Sequence, residues 1–232
     1  MMNLHKTPLT LLAAALFMAS CTKNTDPITI TDEDFHSAVD KVTEVMVHDI
    51  FSPPVVSRIY VYPNIAAYEI IAQHNDTYRS LAGQVNGLPA FPEADAPENV
   101  NYRLAALIAH INLSKRLIFS EERMQAYIDS LYRGWKTANP SEFEASKAYG
   151  LKVVDHIAAW MDQDNYKQTR TMSKFTVDPG NESRWQPTPP AYIDGIEPHW
   201  NKIRPFVLDS AAQFKPKPPV KFSMDEGSDF YR

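Results

Sequence analysis

The sequence predicts an all-α protein: a helical bundle followed by a proline- and aromatic-rich carboxy-terminal strap. Apolar residues recur at three- and four-residue spacing through most of 31–164, and no alternating strand pattern of useful length interrupts them. The chain of 232 residues has 18 prolines and only 7 glycines, which favours helices joined by stiff linkers over tight β-turns. From residue 165 onward the helical rhythm stops, and the sequence becomes rich in proline and contains two tryptophans.

The amino terminus has the pattern of a secretory signal peptide over residues 1–20. Lys6 precedes the apolar run 9–18, which is too short to cross a bilayer, and two small residues then lead to Cys21, the single cysteine. The stretch "MASC" resembles the lipobox of bacterial lipoproteins, in which the cysteine is lipidated. We therefore expect an exported lipoprotein, anchored to a membrane through Cys21 at the periplasmic or cell surface; simple secretion is the alternative.

The bundle is predicted over 31–164, after a tether at 21–30. Thr31, followed three residues later by Asp34, predicts the start of the first helix. The apolar residues of that helix lie on one face: Phe35, Val39, Val42, Met46 and Ile50.

The next two helices are predicted to be buried. The stretch "VVSRIYVYPNIAAYEIIAQHN" is apolar on nearly all sides, and Pro63 predicts a kink or break near Tyr62. A loop rich in glycine and proline follows at 80–97. The stretch "NYRLAALIAHINLSKRLIF" then predicts another broadly apolar helix.

Two amphipathic helices complete the predicted bundle. Ser120 caps the first, whose stripe comprises Met124, Tyr127, Ile128, Leu131 and Trp135. The capping box formed by Ser141 and Glu144 predicts the start of the second. Its inner face comprises Phe143, Val154, Ile157, Ala158 and Met161.

Patterns that carry common chemistries are missing from the sequence. Glu44 and His48 share a helix face, but no further ligand stands at a matching spacing, so we expect no metal site. The sequence has neither a Gly-x-Ser-x-Gly elbow nor a glycine-rich phosphate loop. The formal net charge of −5, without any run of Lys or Arg, excludes nucleic acid as an expected partner.

The strap carries a family resemblance. The words "RWQPTPPAY", "EPHWNKIRPFVL" and "QFKPKPP" resemble the segment before the catalytic half in secreted bacterial members of the vanadium-dependent haloperoxidase and type 2 phosphatidic-acid-phosphatase superfamily. The upstream "RIYVYPNIAAYEII" is similar to the first buried helices of that group. The resemblance implies an all-α bundle and, in the full-length parent, a site that holds phosphate or vanadate with fixed cations and amide donors.

The three oxyanion motifs of that superfamily are absent from this sequence. Arg204-Pro205 is the single Arg-Pro pair, but Glu197 stands where the Lys-x6-Arg-Pro motif has lysine. No Ser-Gly-His occurs, and Asn64 and Pro190 stand where Ser-Arg-x5-His would have histidine. We therefore expect an amino-terminal portion without catalytic residues or cofactor of its own. The resemblance places the catalytic half of a phosphatase or haloperoxidase, with any vanadate, after the strap.

Two interpretations of the strap, residues 165–232, stay open at this point. Four of its side chains are candidates for a pocket wall that faces the missing half: Trp185, His199, Trp200 and Arg204. The simpler interpretation is that its aromatic residues, principally Trp200, anchor it to the bundle. A different function is a helical surface lipoprotein that binds a glycan or peptide without catalysis.

Overall fold

The computed structural model describes residues 26–91 and 97–232, and over these ranges the protein is all-α, as the sequence predicts. The signal-peptide and lipobox predictions, Cys21 included, lie outside the described residues. Among the described residues no β-strand forms; an isolated bridge joins Ala82 and Val85. The helices are α1 (Asp32–His48), α2 (Pro53–Gln73), α3 (Tyr102–Lys115), α4 (Glu121–Ala138), α5 (Pro140–Met161), the one-turn α6 (Tyr166–Thr169) and a 3₁₀ turn (Trp200–Lys202).

The structure shows which residues cap the amino-terminal ends of the helices. The capping box of α1 is confirmed, since Asp34 N donates to Thr31 Oγ1 at 3.2 Å and Thr31 N donates to the Asp34 carboxylate at 2.8 Å. The predicted box at Ser141 is wrong: Pro140 occupies the first position of α5, and Asn139 is the N-cap. Ser120 is the N-cap of α4, but its hydroxyl donates to Asp49, at 2.5 Å, instead of capping the helix.

Two further predictions about α1 and α2 are wrong. Helix α2 does not break near Tyr62 but continues through Pro63, which is itself buried. Packing on both sides of the proline outweighs the loss of one backbone donor. Ile50 does not belong to the buried face of α1. It lies beyond the helix end with a φ of 55° and is 88% exposed.

Helix α3 is the centre of the bundle. It packs most extensively against α2 and α5 and also contacts α1 and α4. One side of α3 joins a core cluster with α2 and α5, and the other side joins a cluster with α1 and α4. Small residues allow the closest approach, because a Cβ added at Gly150 would lie 2.7 Å from the Ala105 carbonyl oxygen.

Over 26–91 and 97–232, no helix is both long enough and apolar enough to cross a bilayer.

Candidate functional site at the junction of strap and bundle

The strap meets the bundle around one buried carboxylate, Asp164, just after α5 ends. Asp164 is 1% exposed. Its Oδ2 accepts hydrogen bonds from Arg58 Nε at 2.7 Å and from the Tyr62 hydroxyl at 2.9 Å. Its Oδ1 accepts from the backbone N–H of Tyr166 at 2.8 Å. Both oxygens are therefore satisfied, as a buried charge requires.

Helix α2 supplies the two bundle side chains that bind Asp164. Arg58 and Tyr62 are four residues apart, so they project from the same face of the helix. Burial, followed by the charge of Asp164, raises the pKa of Tyr62 well above its ordinary value. Tyr62 therefore remains a neutral donor, and the net charge of the Arg58–Asp164 pair is zero.

Arg204 attaches the strap to this junction. Its backbone N–H donates to the Asp164 carbonyl at 2.9 Å. Its guanidinium donates to the Trp160 carbonyl at 3.0 Å and lies over the Trp160 ring, 4.4 Å from the centroid. Arg204 is thus engaged by a carbonyl and an aromatic face, which suits attachment of a chain segment better than capture of an anion.

The residues after Arg204 bind the loop that follows α2. Asn86 N donates to the Phe206 carbonyl at 2.8 Å, and the Asn86 amide donates to the Pro205 and Leu208 carbonyls. The Phe206 ring packs 5.8 Å from the Trp160 ring, between centroids. Irregular, proline-containing backbone leaves its carbonyl groups without partners in regular secondary structure. The hydrogen bonds from Asn86 satisfy these carbonyls and fix the position of the strap on the bundle.

A second set of contacts holds the middle of the strap. Arg170 forms a two-pronged ion pair with Glu197, whose side chain is 9% exposed. The Tyr166 ring contacts two guanidiniums, those of Arg58 at 4.3 Å and Arg170 at 4.6 Å. Glu197 has a φ of 47°, an unusual value for a residue with a side chain, and the ion pair stabilises that conformation. The glutamate that replaces the motif lysine is therefore a structural partner of Arg170.

The four candidate wall residues do not line one common pocket. Trp185 is 49% exposed and packs edge-on against Phe175, beside a cavity of about 550 Å³. His199, half-buried, has Nε2 2.7 Å from the Ser173 carbonyl and borders a different cavity. Trp200 is half-buried against Tyr166, and Arg204 lies at the junction. Whether any of these side chains faces a further part of the protein stays a prediction.

The residues that matter most at the junction were not singled out from the sequence. Arg58, Tyr62 and Asp164 come from positions up to 106 residues apart. One signal was available: Arg58 stands in an otherwise apolar helix, and a buried cation demands a partner. The identity of that partner could not be read from spacing.

The side chains at the junction do not fit a vanadate or phosphate site. Each cation at the junction already has a partner within the chain. Arg58 pairs with Asp164, Arg170 pairs with Glu197, and Arg204 donates to the Trp160 carbonyl. In the part of the chain that the structure describes, no group of three or more His, Cys, Asp or Glu side chains is arranged to hold a metal ion.

Comparison with known proteins relates this chain to one solved structure. No family model and no curated protein matches the chain. A solved structure described as the first bacterial vanadium-dependent iodoperoxidase matches it at 65% sequence identity, with a TM-score of 0.86 over 89% of the chain. The chain spans 50% of the length of that structure.

The match relates the chain first to haloperoxidase-type helical proteins. It supports the vanadium-dependent haloperoxidase and type 2 phosphatidic-acid-phosphatase superfamily, and the chain corresponds to about half of the iodoperoxidase chain. The resemblance carried by the strap is thereby confirmed, and the alternative of a glycan- or peptide-binding lipoprotein is not favoured.

Proposed function

We propose that this chain forms the amino-terminal helical portion of an exported, vanadium-dependent haloperoxidase that oxidises iodide. The observation that carries the proposal is 65% identity to the bacterial iodoperoxidase, over 89% of this chain but 50% of that one. Identity at this level favours the haloperoxidase branch over the phosphatase branch, which remains the second candidate.

In this proposal the present chain has a structural role, and the vanadate site belongs to the remaining portion of the parent enzyme. When bound there, vanadate supplies the site at which peroxide is activated to oxidise halide. The present chain contributes the bundle and a strap fixed at Asp164, Arg204 and Asn86. The apolar side chains that the strap exposes, among them Ile193 and Ile196, are suited to contact that remaining portion.

The function is tested by complementation. The part of the iodoperoxidase that this chain does not match is fused after Arg232, and iodide oxidation is measured with peroxide and vanadate. We expect no turnover from the chain alone and vanadate-dependent turnover from the fusion. Vanadate-dependent turnover by the repurified chain alone contradicts the proposal, and a fusion that hydrolyses an aryl phosphate without oxidising iodide favours the phosphatase candidate.

Membrane anchoring through Cys21 is a separate proposal. It is supported by the short apolar run that ends just before the single cysteine. Cys21→Ser should move the protein from the membrane fraction to the soluble fraction, and mass spectrometry should find acyl chains on the wild type alone. A variant that stays membrane-bound, together with an unmodified wild type, contradicts lipidation.

A further inference from the structure

A cavity lined by aromatic rings opens between α1, α2 and α3, away from the strap junction. Its volume is about 820 Å³, which is in the range of small-molecule sites. At its rim Asp32 and Arg103 form an exposed ion pair at 2.5 Å, so the two charges offset each other. Five rings line it: Phe35, Tyr68, His74, Tyr78 and Tyr102. Rings of this kind favour a neutral, flat ligand.

An unpartnered polar side chain lies next to this cavity. His110 is 1% exposed, and neither of its ring nitrogens makes a hydrogen bond of acceptable geometry within the described residues; burial lowers the pKa of His110, and the Pro63 carbonyl is near enough to oppose this by a smaller amount. The buried hydroxyl of Ser114, one turn further along α3, is also unpartnered. Buried polar groups without partners are rare because a group that has lost its water and gained no hydrogen bond destabilises the fold. Such a group therefore points to a ligand or ordered water.

The position of His110 relative to the cavity follows from its neighbours. Ala106, one helical turn before His110, lines the cavity. Phe35 also lines the cavity, and its ring packs against the imidazole with centroids 4.8 Å apart. Phe35 is only half-buried, so its ring separates the open cavity from the buried imidazole. A rotation of that single side chain would connect the two.

We propose that this cavity binds a small neutral phenol, whose ring packs among the aromatic side chains and whose hydroxyl reaches His110 when Phe35 rotates. A neutral imidazole has one donor and one acceptor nitrogen, and a hydroxyl group is both donor and acceptor. One phenolic hydroxyl therefore satisfies a nitrogen that is otherwise unpaired. The site is independent of the vanadate chemistry proposed above and does not depend on it.

The test compares p-cresol with toluene, which has the same ring and methyl group but lacks the hydroxyl. The full chain, labelled with ¹⁵N-histidine, is titrated with each probe, and His110→Phe identifies the resonances of His110. We expect p-cresol to shift those resonances and to bind about tenfold more tightly than toluene, which is the difference that one well-made hydrogen bond supplies. In His110→Phe the ratio of the two dissociation constants should fall to about 1.

A second variant tests the location of the binding site without changing His110. Asn64 lies exposed at the edge of the cavity, so Asn64→Trp should obstruct entry and weaken the binding of both probes. Circular dichroism verifies that each variant is folded. Equal affinity for p-cresol and toluene in the wild type, unshifted His110 resonances, or binding that Asn64→Trp leaves unchanged each overturns the proposal.

Discussion

The bundle, which also buries Ile28 and Ile30 of the predicted tether, and the strap, residues 165–232, use the same kinds of side chain in opposite ways. The bundle buries its large apolar residues in two clusters around α3. In the strap, Thr169 is the one buried residue, and eleven of the fifteen exposed large apolar side chains found among the described residues belong to it. The bundle therefore carries its own core, whereas the strap depends on what it is attached to.

The chemistry of attachment explains this difference. Prolines at 187, 189, 190, 198 and 205 remove backbone donors and prevent helix formation, so the strap cannot fold a core of its own. It is held by polar bonds at Asp164 and Asn86 and by the rings of Trp160 and Phe206. The strap is thus fixed at few points and leaves apolar side chains exposed, which supports the proposal that a further part of the protein covers it.

The largest effect should come from the junction on which both regions depend. Asp164→Ala leaves Arg58 as a buried cation without its carboxylate, so the free energy of unfolding should fall by about 3–5 kcal/mol. Urea denaturation, monitored by circular dichroism, measures this change.

A paired replacement distinguishes charge from packing at the same place. The double variant Arg58→Met with Asp164→Leu removes both charges, so it should lie closer to the wild type in stability than Asp164→Ala does. If Asp164→Ala loses less than about 1 kcal/mol, the view that this ion pair stabilises the junction is contradicted.

The stability of the protein should depend on pH through His110, which is buried in the bundle. Burial lowers the pKa of His110 to about 4, whereas an unfolded histidine titrates near 6.5. Between these values the unfolded chain binds a proton that the folded chain does not, so stability is lost as the pH falls from about 6.5 to about 4. The loss should be on the order of 3 kcal/mol and should be absent in His110→Phe.

The measurement is a difference between two proteins. Unfolding free energies of the wild type and of His110→Phe are compared at neutral pH and near pH 4, so that contributions from carboxylates cancel. Identical slopes in the two proteins would show that His110 is solvated or bonded in the folded state.

Sequence periodicity predicted the bundle better than the junction. The inner faces of α4 and α5 and the capping box of α1 follow from local spacing, because neighbours three and four residues apart meet on a helix. The predicted break at Pro63 was wrong, because burial on both sides of this residue keeps α2 continuous. The predicted N-cap at Ser141 was wrong, because Asn139 and Pro140 form a competing helix start.

Contacts distant in sequence account for what could not be predicted at the candidate site. Arg58 and Asp164 meet because α2 and the end of α5 pack around α3, which no local pattern encodes. Trp185 lies in irregular backbone, as predicted, whereas Trp200 begins a 3₁₀ turn, and their unequal burial depends on where the strap crosses the bundle. Trp185 projects outward, whereas Trp200 packs on Tyr166.

A smaller effect is expected from a substitution that loosens the strap from the bundle without unfolding the bundle. Arg204→Ala removes the guanidinium from the Trp160 carbonyl and ring, which should cost about 2 kcal/mol of strap attachment. Limited proteolysis should then cleave within 165–232 faster than in the wild type, while the thermal transition of the bundle changes little. Arg184→Ala, at an exposed position of the strap, is the control and should leave the cleavage rate unchanged.

The smallest effects compare two tryptophans within the strap. Trp200 is half-buried, so the loss of about 3–5 kcal/mol expected for a fully buried ring is too large for Trp200→Ala; about 1–2 kcal/mol is expected. Trp185, 49% exposed, contacts Phe175 outside the bundle, so Trp185→Ala should change stability by less than about 0.5 kcal/mol. Chemical denaturation of both variants measures the two costs. In the complementation fusion the order should reverse, because Trp185 has exposed area left to bury against the added portion. Equal effects of Trp185→Ala in the chain alone and in the fusion would show that this part of the strap has no partner there.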